Sequence, residues 1–293
     1  MENQINQNQA PVTHEVTLYA EPITHIGSLP VTNSLLTSWI AVFIIIAIVA
    51  VLRSKLKEIP KGIQNFFEIM YEGALSLCDQ VTNSREITIK VFPLAFAIFI
   101  FVLINNWVGI LPLGGFGIIN GGAFVPFIRS GTADINTTLA LSLMGVIGAN
   151  IFGIVSIGAW KTFNKYVNLR ALGSIPAKIR KDPTVLVVAP VTFFVGVLEL
   201  IGEFAKVASL SFRLFGNVFA GEVLLLSMSA LLAYGLPIPF LFLEIFVGAI
   251  QAFIFAILVL VYFTIAAQDH DEHEGHASSS VEKLEGELES LAG

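Results

Sequence analysis

The chain has 293 residues, of which 55% are hydrophobic and only 13% charged, and its formal net charge is −6. That balance excludes a pair of ordinary soluble domains and leaves a protein that crosses a membrane several times. A single cysteine, Cys78, excludes an intrachain disulfide framework and any cysteine-based zinc cluster.

Residues 1–34 read as a polar, mildly acidic extracytoplasmic tail, with an interfacial segment near residues 18–29. The first 33 residues hold no Lys or Arg, so no basic region of a cleavable signal peptide is expected there. Residues 35–52 form a charge-free apolar run of about the 20 residues that a spanning helix needs, with Trp39 near its outer end. Arg53, Lys55, Lys57 and Lys61 follow directly, which puts this end in the cytoplasm and the N-terminus outside. Pro60-Lys61-Gly62 breaks the helix. Over residues 62–80, Phe66, Phe67, Met70 and Tyr71 recur at helical spacing among Gln64, Glu68, Glu72 and Asp79. The pattern predicts an amphipathic helix on the inner membrane surface, with Cys78 as a small apolar filler.

A second span is expected over residues 91–113, with Asn105, Asn106 and Trp107 toward its outer end. The glycine-rich stretch 114–133 holds one basic residue, Arg129, and reads as an outside loop. Asp134 precedes the third span, 136–159, either as its N-cap or as a polar group at a water-filled vestibule. Lys161, Lys165, Arg170, Lys178 and Arg180 then hold the next loop inside.

The tract 183–268 carries only the charges of Glu199, Glu203, Lys206, Arg213, Glu222 and Glu244. Gly235, Pro237 and Pro239 divide it into segments 183–233 and 239–268. As one helix the first segment would be about 75 Å long at 1.5 Å per residue, against about 30 Å of hydrocarbon. Either it breaks into two spans or it lies strongly tilted, and composition leaves both open. Residues 269–293 read as a soluble cytoplasmic tail. His270, His273 and His276 could collect a metal there, but the acidic run supplies no second shell, and a solvated tail is its ordinary reading.

Within the tract stands S-L-S-F-R-L-F-G-N-V-F-A-G-E, residues 209–222. Its guanidinium, Arg213, keeps its proton at any physiological pH, and a charge near mid-bilayer costs at least about 2.5 kcal/mol. Uncharged neighbours from Val207 to Gly221 leave it no close helix end from which to snorkel. On a helix, Lys206 falls within about 20° of its direction, and Ser209, Asn217 and Glu199 within about 40°. Glu203 reaches Lys206 at i, i+3. Glu222 lies about 180° away and faces a different neighbour. Glu244 and Gln251, seven residues apart, share a face of the following helix. A fold near Ala233 brings Glu222 to Glu244 and Gln251 to Arg213. A fixed cation and separated carboxyls, with no nucleophile–base constellation, zinc motif or phosphate loop, point to ion translocation.

The motif at 209–222, together with Q-A-F-I-F-A-I-L from Gln251, T-A-D-I-N-T-T-L-A-L from Thr132 and K-V-F-P-L-A-F from Lys90, resembles subunit a of F-type ATP synthases over residues 35–268. The resemblance implies an all-α polytopic membrane protein: three ordinary spans, an interfacial amphipathic helix and a long, strongly tilted hairpin, 183–233 and 239–268. It implies a non-catalytic stator that cups a rotating ring of c subunits and is held by the b subunits of the peripheral stalk in the ATP synthase complex. That stator needs no cofactor or metal and no nucleic acid, and sits in a lipid membrane, here the inner membrane of a bacterial cell. Arg213 takes the position of the arginine that faces each ring carboxylate. Asn217, Glu222, Glu244 and Gln251 match positions of the outer half-channel and of arginine support, and Glu199 a position facing the cytoplasmic half-channel. The family's acidic/histidine pair of the outer channel is here two glutamates, which leaves open whether Glu222 or Glu244 carries the proton. Two other readings of the residues are a secondary transporter with an anion site at Arg213, against which stands the lack of paired repeats, and a membrane scaffold, for which a stripe of charges in an apolar tract is an unexplained cost.

Overall fold

A computed structural model of the chain describes residues 17, 20–27, 29–54, 62–111, 117–120, 123–159, 185–232 and 235–267. The expected cytoplasmic loop beyond Lys161 and the tail 269–293 with its three histidines lie outside the described residues. The fold is all-α in character, and among the described residues five helices are long and apolar enough to cross a membrane. By contacts the chain forms two units. One comprises residues up to Val146 together with Glu203–Val261, and the other comprises Ile147–Gly202 with residues from Tyr262 onward.

In the first unit a small hairpin, β1 (Pro22–Ile26) and β2 (Leu29–Thr32), precedes helix α1 (Asn33–Ser54). The interfacial segment expected near residues 18–29 is thus a two-stranded reversal. Gly27, at φ 65°, supplies the left-handed backbone that the reversal requires. Asn33 joins hairpin to helix: its Oδ1 accepts hydrogen bonds from the N–H groups of Ser34 (2.9 Å) and Glu21 (3.2 Å). A second hairpin, β3 (Gly117–Asn120) and β4 (Ala123–Pro126), stands inside the stretch expected as a plain loop.

Helix α2 (Ile63–Thr82) is the amphipathic element. It exposes Phe66 and Ile69 and turns Tyr71 edge-on to Phe92 of α3 (Arg85–Ile110), 4.9 Å between ring centres. Asn83, in the left-handed region at φ 50°, ends α2 by donating its N–H to Asp79 O at 3.0 Å. An ion pair from Arg85 to Asp79 and a 2.6 Å hydrogen bond between the Thr82 and Thr88 hydroxyls fix the corner between α2 and α3. Cys78 is buried at this corner.

The outer end of α3 gathers a dry polar cluster. Asn105 and Asn106 are 0% and 2% exposed, so each amide needs partners within the protein. Asn105 Oδ1 accepts from Ser38 of α1, and its backbone carbonyl accepts from Ser130. Asn106 Oδ1 accepts from the Thr132 hydroxyl at 2.6 Å, and its Nδ2 donates to the carbonyl of Gly248 at 3.0 Å. The cluster therefore ties α1, α3, a short 3-10 turn at Gly131–Ala133 and helix α6 (Pro237–Ala267) to one point. Gly131 and Gly109 are obligatory here: a Cβ on either would overlap the Ser38–Asn105 pair or Ser130.

Helix α4 (Ile135–Ile157) opens on Asp134, whose Oδ1 accepts from the Asn136 N–H at 3.1 Å, the arrangement of an N-cap. Helix α5 (Val185–Leu231) is continuous over 47 residues, more than twice the roughly 20 that cross the hydrocarbon. Of the two alternatives left by composition, the segment does not divide into two helices. A turn holding Gly235 at φ 99° leads into α6. In the second unit, Gly148 and Gly153 of α4 receive Phe263 and Ala266 of α6; a Cβ on Gly153 would come 2.7 Å from the Ala266 carbonyl.

Two consequences are measurable. Asn106→Leu keeps the branched shape but removes the bond to the Thr132 hydroxyl and leaves the Gly248 carbonyl without its Asn106 donor, and is expected to destabilise by about 1–3 kcal/mol, read as a lower unfolding midpoint in detergent. Burial, with the neighbouring Asp79 carboxylate adding to it, raises the Cys78 thiol above its ordinary 9.0. A raised value means less thiolate at any given pH, so alkylation of Cys78 should be slow at pH 8 and rise only above about pH 9. Asp79→Asn should speed it.

Candidate functional site

One face of α5 is buried: Leu210, Ser211, Leu214, Phe215, Val218 and Gly221 recur at helical spacing. Ser211 meets Thr138 of α4 hydroxyl to hydroxyl at 3.1 Å. The opposite face is exposed and mostly apolar, with Ala205, Phe212 (61%) and Ala220 along it. Arg213 stands on that exposed face. Among the described residues no hydrogen bond or ion pair reaches its guanidinium.

Asn217 lies one turn further on, with its Nδ2 buried and unpartnered among the described residues. Lys206 donates to Glu203 at 2.7 Å, the i, i+3 pair expected from the spacing. Gln251 of α6 is half-buried and makes no hydrogen bond to Arg213. Glu199 is half-buried in the other unit. Of the expected site residues, Arg213, Asn217, Glu222, Glu244 and Gln251 belong to the first unit and Glu199 to the second.

The two glutamates are placed differently from each other. Glu244 is 9% exposed, and its carboxyl lies directly over Gly221, where a Cβ would overlap it. The hairpin of α5 and α6 thus brings Glu244 to the level of Glu222, as the fold near Ala233 implied. Yet the partner of Glu222 is Arg129, which the sequence reading left in an outside loop without a task. Arg129 Nε donates to both carboxylate oxygens, at 2.9 and 3.1 Å. The Arg129 side chain is 3% exposed and that of Glu222 26%. A charge so deeply buried persists only when paired. The available signal was that Arg129 is the lone cation of its loop, while Glu222 is a carboxylate turned away from every cation on its own helix.

The family model described as ATP synthase A chain matches residues 35–264. The chain belongs to the family of F-type ATP synthase subunit a. Its relatives include ATP synthase subunit a of Mycobacterium bovis, 35% identical, with 85% of this chain and 92% of the relative covered. The Gloeobacter violaceus subunit a is 32% identical over 82% of this chain and 86% of its own length. The chloroplastic subunit a of Stigeoclonium helveticum is 36% identical over 80% and 85%. As a subunit a, the chain is a multi-pass membrane component of an ATP synthase complex.

The close approach of Glu244 to Gly221 makes a steric prediction. Gly221→Ala should push the Glu244 carboxyl aside and, in assembled complexes, abolish ATP-driven acidification of inverted vesicles as Glu244→Gln should. Retention of parental rates by Gly221→Ala would show that the position of this carboxyl is immaterial.

Proposed function

We propose that the chain is the non-catalytic stator of the membrane motor and conducts protons through two offset half-channels against the rotating c-subunit ring, so coupling proton flow to rotation and ATP synthesis. The observation that carries this reading is the placement of Arg213. A guanidinium without a partner among the described residues, standing on an exposed apolar helix face, calls for an anion on another molecule. A carboxylate of each passing ring subunit is such an anion. Arginine cannot give up its proton, so it acts as a fixed charge and never as a stop on the proton's path. A ring carboxyl that comes near it loses its proton, because a nearby positive charge favours the ionised form. At 4 Å the attraction is about 4 kcal/mol at an effective dielectric of 20, enough to hold the carboxylate in passing and small enough to release it.

Asn217 and Gln251 support the arginine, Glu222 and Glu244 belong to the outer half-channel, and Glu199 to the cytoplasmic one. The length of α5 supports a strongly tilted course, since 47 helical residues exceed the hydrocarbon thickness when upright. Each charge moved through 100 mV delivers about 2.3 kcal/mol, so ATP synthesis needs several protons per nucleotide, which a ring collects in sequence. The b subunits of the peripheral stalk keep the stator from turning with the ring. The host is the inner membrane of a bacterial cell, with the N-terminus outside and the C-terminus in the cytoplasm; the basic residues after α1 support that orientation.

The test is ATP-driven acidification of inverted vesicles carrying the whole complex. The parent should pump, and Arg213→Ala should assemble normally and pump nothing measurable. Parental pumping by Arg213→Ala would overturn the reading.

A further inference from the structure

We infer that Arg129 is a positioning residue of the outer half-channel, which clamps Glu222 and leaves Glu244 as the carboxyl that takes up and releases the proton. The inference rests on the proton-path reading above. Its basis is the unequal engagement of the two glutamates. Both oxygens of Glu222 accept from one Nε, at 2.9 and 3.1 Å, so a proton arriving there must displace the guanidinium. Arg129 is itself held. Its Nη2 donates to the Thr17 carbonyl at 2.7 Å, its Nη1 to the Thr17 hydroxyl at 3.3 Å, and the Thr37 hydroxyl accepts from its backbone N–H at 3.3 Å. The clamp thus has one end fixed in the N-terminal segment and α1 and the other on α5.

Glu244 is more deeply buried than Glu222 but has no such partner: among the described residues no hydrogen bond or ion pair reaches its carboxyl. It rests on the bare Cα of Gly221, with space set by a glycine and no donor in contact. The charged groups at this level are Arg129 from the loop, Glu222 from α5 and Glu244 from α6. The nearby Asp134 is buried but committed to Asn136 as a cap. Of the two carboxyls only Glu244 can change protonation without dismantling an ion pair, so the structure separates a scaffold carboxylate from a working one.

The experiment is a double-mutant cycle in assembled complexes, reading ATP-driven acidification and the pH profile of passive proton conduction by the membrane sector. Glu244→Gln should abolish pumping, and Glu222→Gln should slow it by no more than about tenfold. Arg129→Gln should slow pumping about tenfold and move the conduction profile to higher pH, because the outer path has lost a fixed positive charge. Combining Arg129→Gln with Glu222→Gln should then give the rate of Glu222→Gln alone, since the clamp has nothing left to hold. A purely structural Arg129 would lower the rate by the same factor in both backgrounds and leave the pH profile in place, which overturns the inference. So does pumping by Glu244→Gln when Glu222→Gln is silent. If Arg129→Gln fails to assemble, Arg129→Lys carries the test: pumping retained with a displaced pH profile supports the clamp, and the parental profile overturns it. Parental pumping by Arg213→Ala would instead strike the underlying reading, so the two failures are distinguishable.

Discussion

A guanidinium cannot be neutralised by burial, and this constraint organises the membrane part of the molecule. Other ionisable side chains escape a low dielectric by releasing or taking up a proton, but arginine must find an anion or water. The chain places two arginines where that rule bites, and it answers them differently. Arg129 is sunk to 3% exposure and given an internal carboxylate, Glu222, plus a carbonyl and a hydroxyl from Thr17. Arg213 is left on an outward face beside Phe212, with no internal anion among the described residues. One cation is paired inside the fold, and the other, on the proposed reading, meets an anion of the ring.

Keeping Arg213 in that position requires rigidity around it. The buried face of α5 supplies it through Leu210 and Leu214, 2% and 1% exposed, and through the Ser211–Thr138 hydroxyl pair. The polar cluster at Asn105 and Asn106 supplies it at the outer end, because a dry amide network is satisfied in one arrangement only. The Asn106 amide donates to a carbonyl of α6 close to Glu244 in sequence, so the network that ties the helix ends together also sets the level at which that carboxyl sits. Glycine completes the arrangement. At Gly221 the missing side chain is the space that the Glu244 carboxyl occupies, and at Gly131 it is the space of the Ser38–Asn105 pair.

Much of this was legible before any coordinates. Helix class followed from the lengths of apolar runs and their basic flanks, because hydrocarbon thickness permits few alternatives. The motif around Arg213 pointed to the family, and the wheel of α5 separated Glu222 from the stripe that contains Lys206 and Asn217. Two things were not legible. The hairpins at Pro22–Thr32 and Gly117–Pro126 are short, and their strands of four or five residues leave too few positions for an alternating pattern to stand out in a polar or glycine-rich stretch. The Arg129–Glu222 pair joins residues 93 positions apart through a tertiary contact that no local periodicity encodes. A count of unmatched charges was the one available pointer, since a lone cation outside and a lone carboxylate near that side of an apolar tract are costly apart.

That pairing changes how two nearby glutamates should be compared. Side by side in an apolar setting, two carboxyls would be expected to share a proton, each perturbing the other. A guanidinium against one of them breaks the symmetry: Glu222 becomes part of a neutral pair, and Glu244 meets a neighbour with no net charge. The repulsion between the two carboxylates is largely cancelled at its source. On the proposed reading, a path with one working carboxyl needs no ordered exchange between two, and its gating would fall to whatever brings water and the ring's carboxylates to Glu244 and Arg213. In this arrangement the number of acids along the path matters less than which of them is free to lose its proton.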